Sequence, residues 1–392
     1  MTELRAAIAA LQDQMVADRR HFHAHPELAF EEFETAAYVA ERLQSLGLEV
    51  RTGVGKTGVV AVVRGGRPGK TVLLRADMDA LPIPEDSDQP YVSTRPGVMH
   101  ACGHDGHTAI LLAVARILAD RRESLPGNVV LAFQPAEERP PGGALGMIAD
   151  GAMENPKVDA AFGLHLTSAP VGTVGMRPGP AMAAADAFRA EIIGVGGHAS
   201  RPHSAVDPVL IAAQVVTALH TIVSRQVDPL QSAVITVGTI QAGTVPNVIP
   251  ATATMAGSVR TFDQALRESL AKKIERTIIG VAQAMGGDAR VEYNFGYPVL
   301  TNEAEMTEFV RSVALDVVGR ENTRTNPPIM ASEDVGYFIE KAGSGCYFTV
   351  GILNEAKGIT VTNHNPGFDM DEAALPIGVE MLVTIVERYL SR

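Results

Sequence analysis

Asn128-Val129-Val130-Leu131-Ala132-Phe133-Gln134-Pro135-Ala136-Glu137-Glu138 joins a short apolar run directly to two adjacent carboxylates. An uninterrupted run rich in Val, Leu and Phe, without polar alternation, is the pattern of a strand buried on both faces, as strands of a parallel sheet are. The same grammar recurs on either side: a run over 71–75 leads into Asp77-Met78-Asp79, and a run over 160–164 ends at His165. Helical spacing fills the intervals, over 108–118 and again near 144–150. Strands alternating with helices predict an α/β fold on a largely parallel sheet covered on both faces. In such sheets ligands bind outside the carboxyl ends of the strands. Three strand ends therefore bring Asp77, Asp79, Glu137, Glu138 and His165 to one edge, and a site is expected there.

Between the first two of these strands lies His100-Ala101-Cys102-Gly103-His104-Asp105-Gly106-His107, placed in a loop ahead of the 108–118 helix. Thiolate, imidazole and carboxylate are the ligands of zinc and its neighbours. Read alone, the stretch is a catalytic metal site, a structural zinc knuckle, or a buried thiol beside ordinary histidines. A structural zinc ion takes four closed ligands, and no second cluster of this kind occurs in the sequence. Across the strand ends the candidate ligands are Cys102, His104, Glu138, His165 and His364, with Glu137, Asp77 and Asp79 close by. Five ligands exceed what one tetrahedral ion needs, whereas two metals about 3.5–4 Å apart suit them and suit amide hydrolysis. Neighbours in extended chain point to opposite sides, so Glu137 and Glu138 are expected to divide the work: one binds metal while the other moves a proton.

The rest of the chain bounds the class. At 392 residues it exceeds a usual single core, so two domains are expected. A net charge of −12 excludes nucleic acid and anionic membrane surfaces as partners. Two cysteines, Cys102 and Cys346, do not make a disulfide framework, and Cys346 reads as a buried thiol packing the sheet. The start, Met1 to Arg5, lacks a secretion signal, and no apolar run approaches the ~20 residues of a membrane span; a cytoplasmic protein is expected. Leu4, Ile8, Leu11 and Met15 predict a helix over 3–20. In His21, His23 and His25, Pro26 forces a helix end, so these histidines are read as capping or packing groups rather than ligands. A further helix over 33–46 stops at Gly47.

From about Ala185 the texture changes. Strands over 187–195, 233–241, 252–261 and 290–295 enclose helices over 207–224 and 264–285, with Asp207 as N-cap. The order β-α-β-β-α-β is that of a ferredoxin-like sandwich. From Tyr297 strand and helix alternate again, through Thr362-Asn363-His364 to a closing helix over 372–389. The fold expected is α/β: a split, mostly parallel-sheet domain at 1–184 and 297–392, with an inserted ferredoxin-like α+β domain at 185–296.

Taken together, His23–Leu28, Leu74–Pro82, the Cys102 cluster, Gln134–Glu138, Gly163–His165, Gly197–Ser200 and Val361–His364 resemble the motifs of the dinuclear metal-dependent amidohydrolases. These include hippurate hydrolases, bacterial aminoacylases and plant auxin-conjugate hydrolases, within the wider carboxypeptidase G and succinyl-diaminopimelate desuccinylase clan. The resemblance covers nearly the whole chain. It implies that Cys102, His104, Glu138, His165 and His364 hold two divalent ions per subunit, zinc by ligand type or manganese. It implies further that Glu137 is the general base and acid, and that Asp79 orients a ligand. In the wider clan a histidine stands where Asp77 does and an aspartate where Cys102 does, a departure that marks the hippurate-hydrolase branch and loosens the choice of metal.

The same resemblance makes 185–296 a lid and dimerisation domain of a homodimer, or of a homotetramer. It implies that His198 reaches the partner's site and that Asn247 and Arg260 contact substrate; without it, His198 is a loop histidine held by the glycines before it and Arg260 a surface charge. The activity it implies is hydrolysis of the amide of N-acetyl, N-benzoyl or longer N-acyl amino acids. A metal-activated water attacks the acyl carbonyl, Glu137 carries the proton, and free amino acid and carboxylate leave. A dipeptidase or exopeptidase on the same centre, a non-catalytic conjugate-binding protein and a zinc-stabilised structural protein are the alternatives.

Overall fold

The structure is a computed structural model describing residues 3–392; Met1 and Thr2, which open the stretch read for a secretion signal, lie outside the described residues. The chain divides into two compact units, one running to Gly179 and taking in Thr301–Pro327 and Asp334–Arg392, the other made of Pro180–Leu300 and Pro328–Glu333. It leaves the first unit in β7 (Gly179–Met182) and re-enters it in β14 (Leu300–Asn302).

The first unit is built on an eight-stranded sheet. Its strands are β1 (Glu49–Val54), β2 (Gly58–Arg64), β3 (Arg67–Asp77), β4 (Pro126–Gln134), β5 (Ala160–Pro170), β6 (Val174–Met176), β15 (Thr323–Thr325) and β16 (Gly345–Leu353), in the order β1-β2-β4-β3-β5-β16-β6-β15. The centre is parallel: β4, β3, β5 and β16 run the same way, with Leu74 opposite Leu131 and Phe162, and Thr349 opposite His165. Successive residues of a strand face opposite sides. Val59–Val63, Val72–Asp77 and Val129–Gln134 are buried without a break, so both faces of this sheet are covered.

Helices α1 (Glu3–Ala10), α2 (Gln12–Ala24), α3 (Phe33–Ser45), α4 (His104–Asp120), α5 (Ala144–Ala149), α8 (Ala304–Val317), α9 (Val335–Ala342) and α10 (Ala374–Leu390) complete the unit. α4 is apolar almost all round, the mark of a helix in the interior, and packs on α2, α10 and β3.

Two boundaries differ from the sequence reading in ways that matter for the site. α4 begins at His104, inside the metal-type cluster rather than after it. Gly103 takes a left-handed φ of +87°, which ends the extended segment and lets the next residue open the helix. The apolar periodicity begins only at Thr108 because His104, Asp105 and His107 are buried polar groups whose burial rests on hydrogen bonds. Likewise β5 does not stop at His165 but continues to Pro170, where its outer residues are half exposed. The single helix expected over 3–20 is two, α1 and α2, divided at Leu11.

The second unit is a four-stranded antiparallel sheet of β8 (Ala184–Ile193), β10 (Ala233–Ala242), β12 (Thr252–Thr261) and β13 (Asp288–Tyr297), in the order β10-β12-β8-β13. α6 (Pro208–Gln226) and α7 (Gln264–Ala284) pack on it and on each other. This is a ferredoxin-like sandwich. Alternate residues Phe188, Ala190 and Ile192 of β8 meet Ile211, Val215 and Leu219 of α6 and Leu270, Ile274 and Ile278 of α7 in its core. Asp207 caps α6 by accepting the Val209 N–H at 2.9 Å. By length and composition α6 is apolar enough to cross a membrane, which the expectation of no such run missed; its buried residues follow the one-sided spacing of a helix packed on a sheet. A short ribbon pairs β9 (Gly197–His198) with β11 (Val248–Ile249).

Candidate metal centre

All five expected ligands meet in the first unit. Ligand atoms of Cys102, His104 and His165 lie within 4.8 Å of one another, and so do those of Cys102, Glu138 and His364. Cys102 belongs to both triads. Its Sγ is 3.5 Å from His165 Nε2 and 3.2 Å from His364 Nε2, and His364 Nε2 is 3.1 Å from Glu138 Oε1. The ligands come from the turn before α4 and its first residue, the loop after β4, the body of β5, and the loop before α10. His364 has a positive φ of 63° and donates its N–H to Ala101 O at 2.7 Å. Asn363 beside it donates to Cys102 O at 3.1 Å, which ties this loop to the cluster. The His364 side chain is 53 % exposed, so the cluster opens to solvent on that side.

The donor set fits divalent cations. Burial opposes charge on His104, yet Asp77 and Cys102 beside it raise its ring well above the usual histidine range. Hydrogen bonds to Cys102 and Glu138 push His364 up to about 10. Burial, with His107 beside it, outweighs Asp77 at His165 and holds that ring well below the usual range. Around His104 and His364, then, the neighbouring groups favour positive charge. His104 Nε2 is also buried, and beyond its 3.3 Å approach to Asp77 it makes no hydrogen bond, a rare condition for a buried polar atom and one that a bound cation would relieve.

Two of the three imidazoles, His104 and His165, are held by their other nitrogen, as metal-ligating histidines are. His104 Nδ1 donates to the Asp79 carbonyl at 2.8 Å, and His165 Nδ1 to Leu166 O at 2.7 Å. Both rings thereby present Nε2 to the cluster. The Asp79 carboxylate does a second job: it accepts the Glu138 N–H at 2.9 Å. Asp79 thus fixes one ligand through its backbone and another through its side chain.

His107 was not singled out from the sequence as a site residue, although it lies in the quoted cluster. It accepts the Leu166 N–H on Nε2 at 2.8 Å, so the proton sits on Nδ1, which donates to Asp77 Oδ1 at 2.5 Å. With both nitrogens engaged the ring is no ligand; it pins the strand that carries His165. Asp77 is held in turn by Arg75 Nη1 at 2.7 Å, and Arg75 reaches Gln134 and Asp334 at 2.8 and 2.9 Å. Replacing His107 with leucine is expected to weaken metal binding by about 10–100-fold, the usual cost of an outer hydrogen-bond partner, read by competition with a chelator.

Glu137 and Glu138 do not point to opposite sides, as the extended-chain argument required. Both carboxylates lie in one group with His104. The alternation argument requires extended chain, but β4 ends at Gln134 and Ala136 takes a left-handed φ of 55°. The chain turns there, and both side chains face the same cluster. Glu137 is 7 % exposed.

His198, Asn247 and Arg260 belong to the second unit. His198 is exposed, opposite Val248 in the β9–β11 ribbon, and its Nδ1 accepts the Ser200 N–H at 3.1 Å. The Asn247 carbonyl accepts the Ala199 N–H at 3.1 Å. Half-buried Arg260, on β12, donates to Ser332 Oγ at 3.1 Å.

Of the early histidines, His25 donates to His21 O at 2.8 Å at the end of α2, the capping role read from Pro26. His23 lies buried between Asp105 at 2.7 Å and Glu85 at 3.2 Å, beside Arg19 and the Tyr91 ring. Burial and Arg19 lower its affinity for a proton, but the two carboxylates outweigh them and raise the ring above the usual range. Only the charged ring has two N–H groups to give. Its hold on Glu85, which accepts the Ser93 N–H at 2.7 Å, is therefore complete below about pH 6.5 and fades as pH rises through the folded value. Hydrogen-exchange protection of the Ser93 amide is expected to fall above that pH, and to be low at every pH in His23→Leu.

A donor set that fits divalent cations, with a buried carboxylate beside it, is the kind of centre a metal-dependent amidohydrolase has. The relatives of this chain agree. It is 45% identical over 305 residues, 77% of this chain and 82% of the relative, to the N-acyl-L-amino acid amidohydrolase of Geobacillus stearothermophilus. It is 40% identical over 380 residues, 96% of this chain and 95% of the relative, to thermostable carboxypeptidase 2 of Saccharolobus solfataricus. Among solved structures, Bacillus subtilis YXEP, a dinuclear metal binding peptidase, superposes with a TM-score of 0.85 at 32% identity, covering 98% of this chain and 99% of that one. The profile of peptidase family M20/M25/M40 matches residues 73–388, and the chain belongs to that family.

Proposed function

We propose that the protein hydrolyses the amide bond of N-acyl amino acids, releasing a free amino acid and a carboxylate. The observation that carries this reading is the pair of ligand triads sharing Cys102, with the Glu137 carboxylate in the same cluster. Cys102, His104 and His165 would hold one divalent ion, and Cys102, Glu138 and His364 the other, zinc or manganese. Such ions, when bound, would supply a water of lowered pKa and a Lewis acid for the acyl carbonyl. Glu137 accepts the proton of the attacking water and passes it to the leaving nitrogen. Asp79 keeps His104 and Glu138 in register throughout. Asn247 and Arg260 are assigned to the substrate, Arg260 to its carboxylate, and His198 of the partner subunit to the developing oxyanion in a homodimer. The compartment proposed is the cytoplasm.

A peptidase reading has its own support in the carboxypeptidase relative. The two separate on a panel of N-acetyl, N-benzoyl and longer N-acyl amino acids together with dipeptides, assayed on apo enzyme reloaded with zinc or manganese. Metal-dependent release of amino acid from an acyl class is the expected result. Turnover of dipeptides alone would move the protein to the peptidase reading.

A further inference from the structure

Glu32 is not in the metal cluster and is fully buried, at 0 % exposure. It stands just before α3, far in sequence from the glutamate pair, yet its carboxylate is spent on their turn. Oε1 accepts the Ala136 N–H at 2.8 Å and the Phe30 N–H at 3.0 Å, and Oε2 accepts the Thr57 hydroxyl at 2.5 Å. Both amides bound by Oε1 belong to residues in the left-handed region, Phe30 at φ 65° and Ala136 at φ 55°. Residues other than glycine seldom adopt that conformation and need surrounding bonds to keep it. A carboxylate is about twice as strong an acceptor as a neutral group, and here it is closed off from bulk solvent.

The consequence reaches the site through the backbone. Were Ala136 to relax into the extended region, the chain beyond β4 would continue as strand. Glu137 and Glu138 would then point to opposite sides, and one of them would leave the cluster. We propose that Glu32 is a positioning residue: by holding Ala136 left-handed it turns both Glu137 and Glu138 onto the metal cluster. The part concerning Glu137 rests on the proton-transfer role proposed above; the part concerning Glu138 rests on its place in the triad.

Glu32→Gln keeps the volume but replaces one accepting oxygen with an amino group. It is expected to lower kcat about tenfold or more, with KM within about twofold, and to weaken the looser of two metal equivalents about tenfold in chelator competition. Both are scored on protein that still unfolds cooperatively. Adding Ala136→Gly is expected to restore most of both losses, because glycine adopts positive φ unaided. Glu32→Asp, which keeps the charge but stops one methylene short of the Ala136 amide, is expected to behave as Glu32→Gln does and serves if that variant does not fold. Unchanged kcat and metal affinity in these variants, or a loss that Ala136→Gly does not repair, would overturn the proposal. Glu137→Gln is assayed in parallel. If that change leaves turnover intact, the proton-transfer role fails on its own, while metal affinity still decides Glu32's action on Glu138.

Discussion

Glu137→Gln is expected to keep its metal and lose its activity, with kcat down about a thousandfold, within the 10²–10⁴-fold range for a positioned acid–base group. Glutamine matches glutamate in shape, so the turn after β4 and the hydrogen bond from Glu138 N–H to Asp79 survive. What goes is the ability to take a proton. Steady-state kinetics beside a metal assay makes the distinction: metal retained with turnover gone is the proton-transfer result. Turnover retained would mean that another base acts. Loss of metal together with turnover would make Glu137 a ligand.

Cys102→Ala is expected to do the reverse, emptying the site of metal and thereby of activity. No other residue is in both triads, so its removal takes a ligand from each ion at once. A lost outer partner costs about 10–100-fold in affinity; a lost shared ligand is expected to exceed about 100-fold and to leave less than one ion per chain. The thiol also needs the cations. Burial raises its pKa, while His104 and His364 beside it pull the other way, and a bound cation would add to their support of the thiolate. Metal content by elemental analysis, across a titration with zinc and with manganese, reads the outcome. Two ions retained in Cys102→Ala would show that the triads do not depend on a common sulfur.

Much of this was legible in the sequence. The central strands announced themselves because a parallel sheet buries both faces and leaves unbroken apolar runs, and the residues after those runs are the ones the structure gathers. Cys102, His104, Glu138, His165 and His364 could be collected without coordinates, since their chemistry stands out against apolar neighbours. The β-α-β-β-α-β order of the second unit was equally plain. The misses have physical causes. α4 starts four residues early because its first turn buries polar groups, which periodicity counts as solvent-facing. His107 looked like one imidazole among three, and only its bonds to Leu166 and Asp77 show that both nitrogens are engaged. The glutamate pair was read as strand because nothing in Gln134-Pro135-Ala136 marks a left-handed alanine. That conformation depends on Glu32, more than a hundred residues away, and contacts of that range are not written in local pattern.

The meeting of Cys102 with His364 spans 262 positions of chain, and the whole second unit lies within that interval. Cations bound there act as a removable clasp on a very long loop. Each doubling of such a loop adds about 0.6 kcal/mol to the cost of closing it, and ligands that bind only the native state offset that cost by mass action. Chelation should therefore loosen the C-terminal stretch before α10 first, and protease sensitivity around His364 becomes a gauge of metal supply. An enzyme built in this way reports through its lifetime, as well as its rate, whether its ions are present.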